Sequence, residues 1–198
     1  MFVVGGESLI DLKAEVALPD GTLIGHDGEN QIVMTAHPGG SPYNCAIALA
    51  KLGNPTGFLC PISTDAFGDY LLGPLAEAGV TPLLPERVKD YTTLAVVNFD
   101  AHHNARYGFY RSADGAIDAA KAIAALPDKL DLYQIGGFCP IKPDEAAIWL
   151  EIVAAAMAKG ATIAIDPNVR PSLVDDFAGY KQLTGKSAKN MKLKLGSK

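Results

Sequence analysis

Five side chains spread along the chain are of the types that bind a ligand rich in hydroxyl groups. They are Asp11, Asn44, Arg111, Asn168 and Arg170. A carboxylate accepts hydrogen bonds from paired hydroxyls, an amide both donates and accepts, and a guanidinium donates to several oxygens. Each residue alone is typical of a surface loop. Because each follows a predicted strand or opens a predicted helix, the set as a whole favours a site for a polyhydroxyl ligand.

The run Gly-Gly-Ser-Pro-Tyr-Asn at residues 39–44 precedes a small-residue segment that predicts a helix. Ser41 is a favourable N-cap, and Pro42 then occupies the first helical position, where proline is favoured. The unpaired N–H groups of such a helix start favour polar or anionic ligands. Gly39 and Gly40 would let a ligand approach the backbone closely. The same pattern is equally typical of an ordinary strand-to-helix turn.

Strand and helix patterns alternate along most of the sequence. The predicted strands are 2–5, 57–62, 80–84, 130–135 and 161–165, and the predicted helices are 45–52, 65–78, 116–126 and 144–159. Ile148, Leu150, Ile152 and Val153 are expected on the core side of the last helix. This alternation predicts a Rossmann-like α/β fold with a mostly parallel sheet flanked by helices. Ligands of such sheets bind outside the carboxyl ends of the strands.

Two segments interrupt the alternation. Residues 15–36 have no helical period and contain turn signals, and residues 92–111 consist of two apolar runs around a polar centre. Both segments predict hairpins. Two hairpins inserted into an α/β domain indicate a small β-sheet lid over the ends of the parallel strands.

Composition limits the classes of function. The 198 residues are 48% hydrophobic and 20% charged, which is typical of a globular protein with a sizeable core. The net charge of −5 argues against a nucleic-acid surface. No signal peptide or membrane span is evident, and three widely spaced cysteines indicate reduced, mostly buried thiols, so a cytoplasmic protein is expected. No cysteine has metal-ligand spacing, and the pair His102-His103 is more typical of a solvated turn than of a metal site.

The sequence divides into residues 1–180 and a basic end. Residues 181–198 contain six lysines and no acidic residue, and they lack the periodicity of the preceding sequence. This end is expected to be disordered or non-native. The single α/β domain is therefore predicted over residues 1–180.

Four ordered motifs resemble those of the ribokinase-like (PfkB-type) carbohydrate kinases. They are Glu-Ser-Leu-Ile-Asp at 7–11, the 39–44 run, Asp-Ala-Phe-Gly at 65–68 and Asp-Pro-Asn-Val-Arg-Pro at 166–171. Ser63 stands where the family commonly has glycine. The resemblance covers about residues 1 to 180. Within the family, residues 109–114 and the 166–171 run look most like fructokinases, and the 2-keto-3-deoxy sugar-acid kinases share part of this pattern.

The resemblance implies a reaction and roles for the candidate residues. The reaction would transfer the γ-phosphoryl group of ATP, with Mg²⁺, to a primary hydroxyl of a monosaccharide, largely by positioning and charge stabilisation. The hairpins would form a lid that can pair with a partner subunit. The implied substrate-binding residues are Asp11, Gly39, Gly40, Asn44, Arg111, Asn168 and Arg170.

The resemblance also implies parts that this sequence lacks. The family's catalytic aspartate belongs to a C-terminal Gly-Ala-Gly-Asp-like turn, and its adenine pocket and metal-linked motif are also C-terminal. No segment here matches them, and neither Asp114 nor Asp166 has a glycine-rich turn to hold a phosphoryl group. No catalytic residue is therefore assigned, and the chain alone is expected to be inactive. The exposed edge of strand 161–165 predicts a homo-oligomer.

Two alternatives to a fructokinase-like enzyme stay open. The same residues fit a 2-keto-3-deoxy sugar-acid kinase, and they also fit a sugar-binding fragment without catalysis. A nucleotide-dependent oxidoreductase is disfavoured, because residues 4–8 do not form the Gly-x-Gly-x-x-Gly fingerprint.

Overall fold

The computed structural model describes residues 1–14, 33–99, 105–139, 141–166 and 168. The strands are β1 (Phe2–Gly5), β2 (Leu9–Ala14), β3 (Met34–Gly39), β4 (Thr56–Leu59), β5 (Thr81–Pro82), β6 (Leu94–Phe99), β7 (Ala105–Tyr110), β8 (Leu132–Gly136) and β9 (Thr162–Asp166). The α-helices are α1 (Ser41–Lys51), α2 (Ala66–Ala78), α3 (Ala119–Ala124) and α4 (Pro143–Ala158), and a 3₁₀ turn spans Ala113–Gly115.

Five strands form a wholly parallel sheet in the order β5-β4-β1-β8-β9. The central strand β1 is buried on both faces, which explains its continuous apolar sequence. Val4 and Phe58 pack with α1 and α2 on one face, and Val3 and Tyr133 pack with α3 and α4 on the other. The predicted parallel sheet flanked by helices is confirmed.

A smaller mixed sheet has the order β3-β2-β6-β7. Strands β6 and β7 form an antiparallel hairpin inside the predicted segment 92–111. The first hairpin differs from the prediction of 15–36, because its first strand is β2 and its second is β3. Leu9 and Asp11 lie in β2, a strand that was not predicted. Strand β2 pairs antiparallel with β3 and in parallel with β6, so the four strands form one sheet.

Two predicted helices have different details in the structure. The Ala-rich segment 116–126 forms the shorter α3, because Asp118 caps it by accepting the N–H of Lys121 at 2.8 Å. On α4, Leu150 is exposed, contrary to the prediction, whereas Trp149 is buried. The buried positions of α4 are set by the face that meets the sheet, and this face includes Trp149, Ile152 and Val153.

The remaining expectations concern the cysteines, the edge of the parallel sheet, membrane-spanning helices and two segments of the sequence. All three cysteines are free, and Cys60 and Cys139 are buried. Strand β9 is the last strand of the parallel sheet among the described residues, and oligomerisation through it stays a prediction. None of the helices in the described part of the chain is long and apolar enough to cross a bilayer. The basic end 181–198 and the pair His102-His103 lie outside the described residues.

Asp65 joins the start of α2 to the start of the small sheet. It caps α2, accepting the N–H of Gly68 at 2.7 Å, and Gly79 ends the helix in a left-handed conformation. The same carboxylate accepts the N–H and the hydroxyl of Thr92, each at 2.7 Å. The Asp-Ala-Phe-Gly motif therefore has a structural role that links the two sheets.

We expect Asp65→Ala to lower the free energy of unfolding by about 2 kcal/mol, because it removes an N-cap and leaves the N–H of Thr92 unpaired. Urea unfolding followed by circular dichroism measures this. Asp69→Ala is the matched control, since Asp69 lies in the first turn of α2 and is exposed in its ion pair with Arg87. The control should change the free energy by less than about 1 kcal/mol, and equal effects of the two variants would contradict the assigned role of Asp65.

Candidate sugar-binding site

A cavity of about 410 Å³ lies between the small sheet and the carboxyl ends of the parallel strands. This is the position that the fold class predicts for a ligand. Its lining combines a polar floor with an aromatic side. The lining residues are Glu7, Leu9, Asp11, Lys13, Gly40, Ser41, Asn44, Val97, Tyr107, Phe109, Gly137, Phe138 and Asn168.

Four of the candidate residues line this one cavity. Asp11 comes from β2, Gly40 and Asn44 from the start of α1, and Asn168 from the segment after β9. Asn168 adopts a positive φ of 40°, and its N–H donates to the carboxylate of Asp166 at 3.1 Å. The structure thus brings together side chains that are separated by more than 150 residues in sequence.

The start of α1 differs from the prediction in its capping. Gly40, at a φ of +107°, is the N-cap, and Ser41 is the first helical residue, with no capping bond from its side chain. The N–H of Ser41 instead donates to Oε1 of Glu7 at 3.1 Å, and the N–H of Asn44 donates to the carbonyl of Gly40. Because a carboxylate of the protein already occupies this helix start, it does not offer an open site for an anionic ligand.

Glu7 is the first residue of the Glu-Ser-Leu-Ile-Asp motif, and no role was predicted for it. Its side chain is buried, with 3% of the residue exposed, and Oε2 accepts the N–H of Phe138 at 2.9 Å. Burial raises its pKa above the usual 4.5, although the hydrogen bonds from Phe138 and Ser41 act in the opposite direction. The sequence feature that could have identified Glu7 is its position just after β1, because ligands of such sheets bind beyond the carboxyl ends of the strands.

Gly39 and Gly40 are required by neighbouring chain segments. A Cβ at Gly39 would lie 2.4 Å from Oδ2 of Asp11, and a Cβ at Gly40 would lie 2.7 Å from the carbonyl oxygen of Glu7. Gly40 lines the cavity, whereas Gly39 is buried at the end of β3 beside Asp11. A ligand was predicted to approach these glycines closely. In this structure, Asp11 and Glu7 make that close approach.

Arg111 lies behind the aromatic side of the cavity. Its Nε donates to Asp114 at 3.0 Å, its Nη2 donates to Glu145 at 2.8 Å, and its guanidinium packs 4.9 Å from the ring centre of Phe138. It lines a separate cavity of about 260 Å³. The nearby carboxylates keep the pKa of Arg111 above its usual value, in spite of burial. Contact between Arg111 and a ligand stays a prediction, and Arg170 lies outside the described residues.

The aromatic side of the cavity is a continuous group of three rings. Tyr107 stacks on Phe109 with ring centres 5.8 Å apart, and Phe109 meets the edge of Phe138 at 5.2 Å. Two aromatic residues of the sequence motifs lie elsewhere: Tyr43 is buried and donates its hydroxyl to the carbonyl of Leu71, and Tyr110 is exposed. Sequence reasoning missed Phe138, although the Gly-Gly pair before it marked a turn at the end of β8.

Among the described residues, no group of three or more His, Cys, Asp or Glu side chains could hold a metal ion. The donor set of the large cavity is instead carboxylate, amide and backbone groups beside aromatic rings. Such a set fits an uncharged polyol, whose hydroxyls donate to the carboxylates and whose C–H faces pack on the rings.

Comparison with known proteins shows the family of the chain. Residues 1–188 match the model of the pfkB family carbohydrate kinases. This chain belongs to that family. Among the relatives of this pfkB chain, a fructokinase of Rhizobium leguminosarum bv. trifolii is 31% identical over 193 residues, which cover 94% of the chain and 55% of the relative.

Solved structures of fructokinases resemble the pfkB chain over most of its length. The crystal structure of fructokinase from Xylella fastidiosa has a TM-score of 0.79 at 28% identity, covering 92% of this chain and 58% of that one. The structure of that fructokinase with bound ATP has a TM-score of 0.77 at 26% identity, covering 92% and 57%. The pfkB chain spans about half the length of the relatives that it matches.

The buried carboxyl group of Glu7 gives the pfkB chain a specific pH dependence of stability. A carboxyl group with a raised pKa binds its proton more tightly in the folded state, so it contributes stability below the unfolded pKa of about 4.5, and this is lost as pH rises through the folded pKa. We expect the free energy of unfolding of wild type, relative to Glu7→Gln, to fall over that window and then to stay constant. Urea unfolding of both proteins between pH 5 and pH 8 measures the difference. A difference that rises with pH would contradict the assignment.

Proposed function

We propose that this chain forms the sugar-binding part of an ATP-dependent kinase that phosphorylates a primary hydroxyl of a neutral monosaccharide, with fructose as the first candidate. The observation that carries the proposal is the cavity in which Asp11, Asn44 and Asn168 face a group of aromatic rings. Membership of the pfkB family and the fructokinase relatives support the reaction class and the choice of sugar.

In this proposal the polar floor orients the sugar and the rings bind its apolar face. The carboxylate of Asp11 accepts hydrogen bonds from adjacent hydroxyls, and the amide of Asn44 donates to one oxygen while accepting from another. Phe109 and Phe138 pack against C–H groups. This arrangement holds a sugar in one orientation, which is the main requirement for transfer to a single hydroxyl.

The charges around the cavity favour a neutral sugar over a sugar acid. Among the described residues lining it, Glu7 and Asp11 are acidic and Lys13 is basic. Arg111, the cation behind Phe138, is already paired with Asp114 and Glu145. A substrate carboxylate would therefore meet two carboxylates, and the described lining offers it only the exposed Lys13 as a cation, which costs free energy.

The described lining does not fit a triphosphate. A phosphate clamp needs several N–H groups or cations directed at one point, and the helix start nearest the cavity is occupied by Glu7. ATP, when bound to a member of this family, supplies the phosphoryl group. The Xylella fastidiosa fructokinase structure that contains bound ATP supports this role. We assign to the described residues the binding and orientation of the sugar, and no catalytic base.

We expect the purified 198-residue chain to bind D-fructose, and Asp11→Asn to weaken binding at least about tenfold, because the variant loses an ionised acceptor for sugar hydroxyls. Isothermal titration calorimetry measures the affinities. Asp128→Asn is the matched control, since Asp128 is fully exposed and paired only with Lys159 among the described residues; its affinity should equal that of wild type. Titration with 2-keto-3-deoxy-D-gluconate should give weaker binding than fructose, and the reverse order would favour the sugar-acid alternative.

We expect no steady, fructose-dependent formation of ADP by the same chain in the presence of ATP and Mg²⁺, because no described lining residue combines a base with a phosphate clamp. A coupled assay for ADP measures this. A control preparation of a fructokinase in the same assay sets its sensitivity. Sustained turnover that depends on fructose would refute the assignment of sugar binding without catalysis to this chain.

A further inference from the structure

Two sides of the large cavity come from segments that are distant in sequence and meet at one side chain. The start of α1 carries Gly40 and Ser41, and the turn after β8 carries Gly137 and Phe138. Glu7, directly after β1, lies between them. Its Oε1 accepts the N–H of Ser41 at 3.1 Å, and its Oε2 accepts the N–H of Phe138 at 2.9 Å.

The fit around this carboxyl group is close. Gly137 has a φ of +67°, and a Cβ there would lie 1.8 Å from Oε2 of Glu7. On the other side, a Cβ at Gly40 would lie 2.7 Å from the Glu7 carbonyl oxygen. Both segments thus use glycine where they approach Glu7, and a side chain at either position would displace it.

We propose that Glu7 is the positioning residue of the sugar cavity, and that its carboxyl group holds the start of α1 and the 137–138 turn at the separation which a sugar requires. This inference rests on the proposed sugar-binding function. Through Ser41 the carboxyl group orients the helix that carries Asn44, and through Phe138 it orients the aromatic side of the cavity. Glu7 acts on the ligand through these two segments.

The proposed role requires a carboxyl group with two acceptor oxygens, and a side chain that only fills the same space could not perform it. Each carboxyl oxygen accepts one backbone N–H, so both buried donors are satisfied. A glutamine has almost the same volume, but it offers one oxygen acceptor and an NH₂ group that cannot accept. In Glu7→Gln one of the two N–H groups therefore loses its partner, and in Glu7→Ala both do.

The test measures fructose affinity by calorimetry and amide exchange at Ser41 and Phe138 by NMR. In Glu7→Ala both amides should exchange faster, and the affinity should fall at least about tenfold. In Glu7→Gln one amide should exchange faster, with a smaller fall in affinity. Glu77→Gln, the same change on the exposed face of α2, should leave both readouts at the wild-type values.

A second pair of variants leaves Glu7 itself unchanged. Gly137→Ala places a methyl group against Oε2 of Glu7, whereas Gly53→Ala adds the same methyl group at a similar positive φ of +85° with no atom within 4 Å. Both variants carry the backbone strain of alanine at positive φ. Only Gly137→Ala should weaken fructose binding and speed exchange at Phe138.

The outcomes separate this inference from the proposed function. Glu7→Gln with wild-type exchange and affinity would overturn it, as would Glu7→Ala or Gly137→Ala with affinity within about twofold of wild type. A wild-type chain that binds no fructose rejects the proposed function, and exchange at the two amides then decides the positioning role by itself. Unchanged protection of Ser41 and Phe138 in Glu7→Ala would overturn that role.

Discussion

The cavity depends on one buried carboxyl group at the carboxyl end of the central strand. Segments that meet at the carboxyl ends of parallel strands carry backbone N–H groups that must be satisfied when they are buried. Glu7 satisfies two such groups from two different segments. Its position after β1, between the segment after β3 and the turn after β8, allows one side chain to connect both, which a residue at the edge of the sheet could not do.

The burial of Glu7 lowers the stability of the folded protein at the candidate site. Removing a carboxyl group from water raises its pKa and disfavours the charged form. The cost is offset by the large apolar clusters on both faces of the parallel sheet, where Val3, Val4 and Phe58 are fully buried. The buried acid therefore follows a strand, β1, whose Val3 and Val4 are fully buried in these clusters.

The sequence predicted the parallel sheet well because its strands are buried on both faces, and such strands are continuous apolar runs that are visible locally. The helix over 65–78 was predicted closely for a similar reason, since its capping by Asp65 and Gly79 depends on a few neighbouring residues. Ser41 was assigned wrongly as a cap because its N–H is satisfied by Glu7, 34 residues away. The strand that contains Asp11 was not predicted, because it depends on the pairing of β2 with β3 and with β6, which are distant in sequence. Pairings of this kind leave no local pattern.

Arg111 illustrates how the same long-range contacts change the chemistry of a site. In sequence it follows two aromatic residues and is typical of a cation directed at an anionic or polar ligand. In the structure, Asp114 from the 3₁₀ turn and Glu145 from α4 accept its hydrogen bonds, and its guanidinium supports the ring of Phe138 from behind. A cation compensated in this way exerts little net attraction on a charged ligand but still fixes the ring beside the cavity. The acids near Arg111 therefore bear on the choice between a neutral sugar and a sugar acid, because only the loss of both would leave the guanidinium uncompensated behind Phe138.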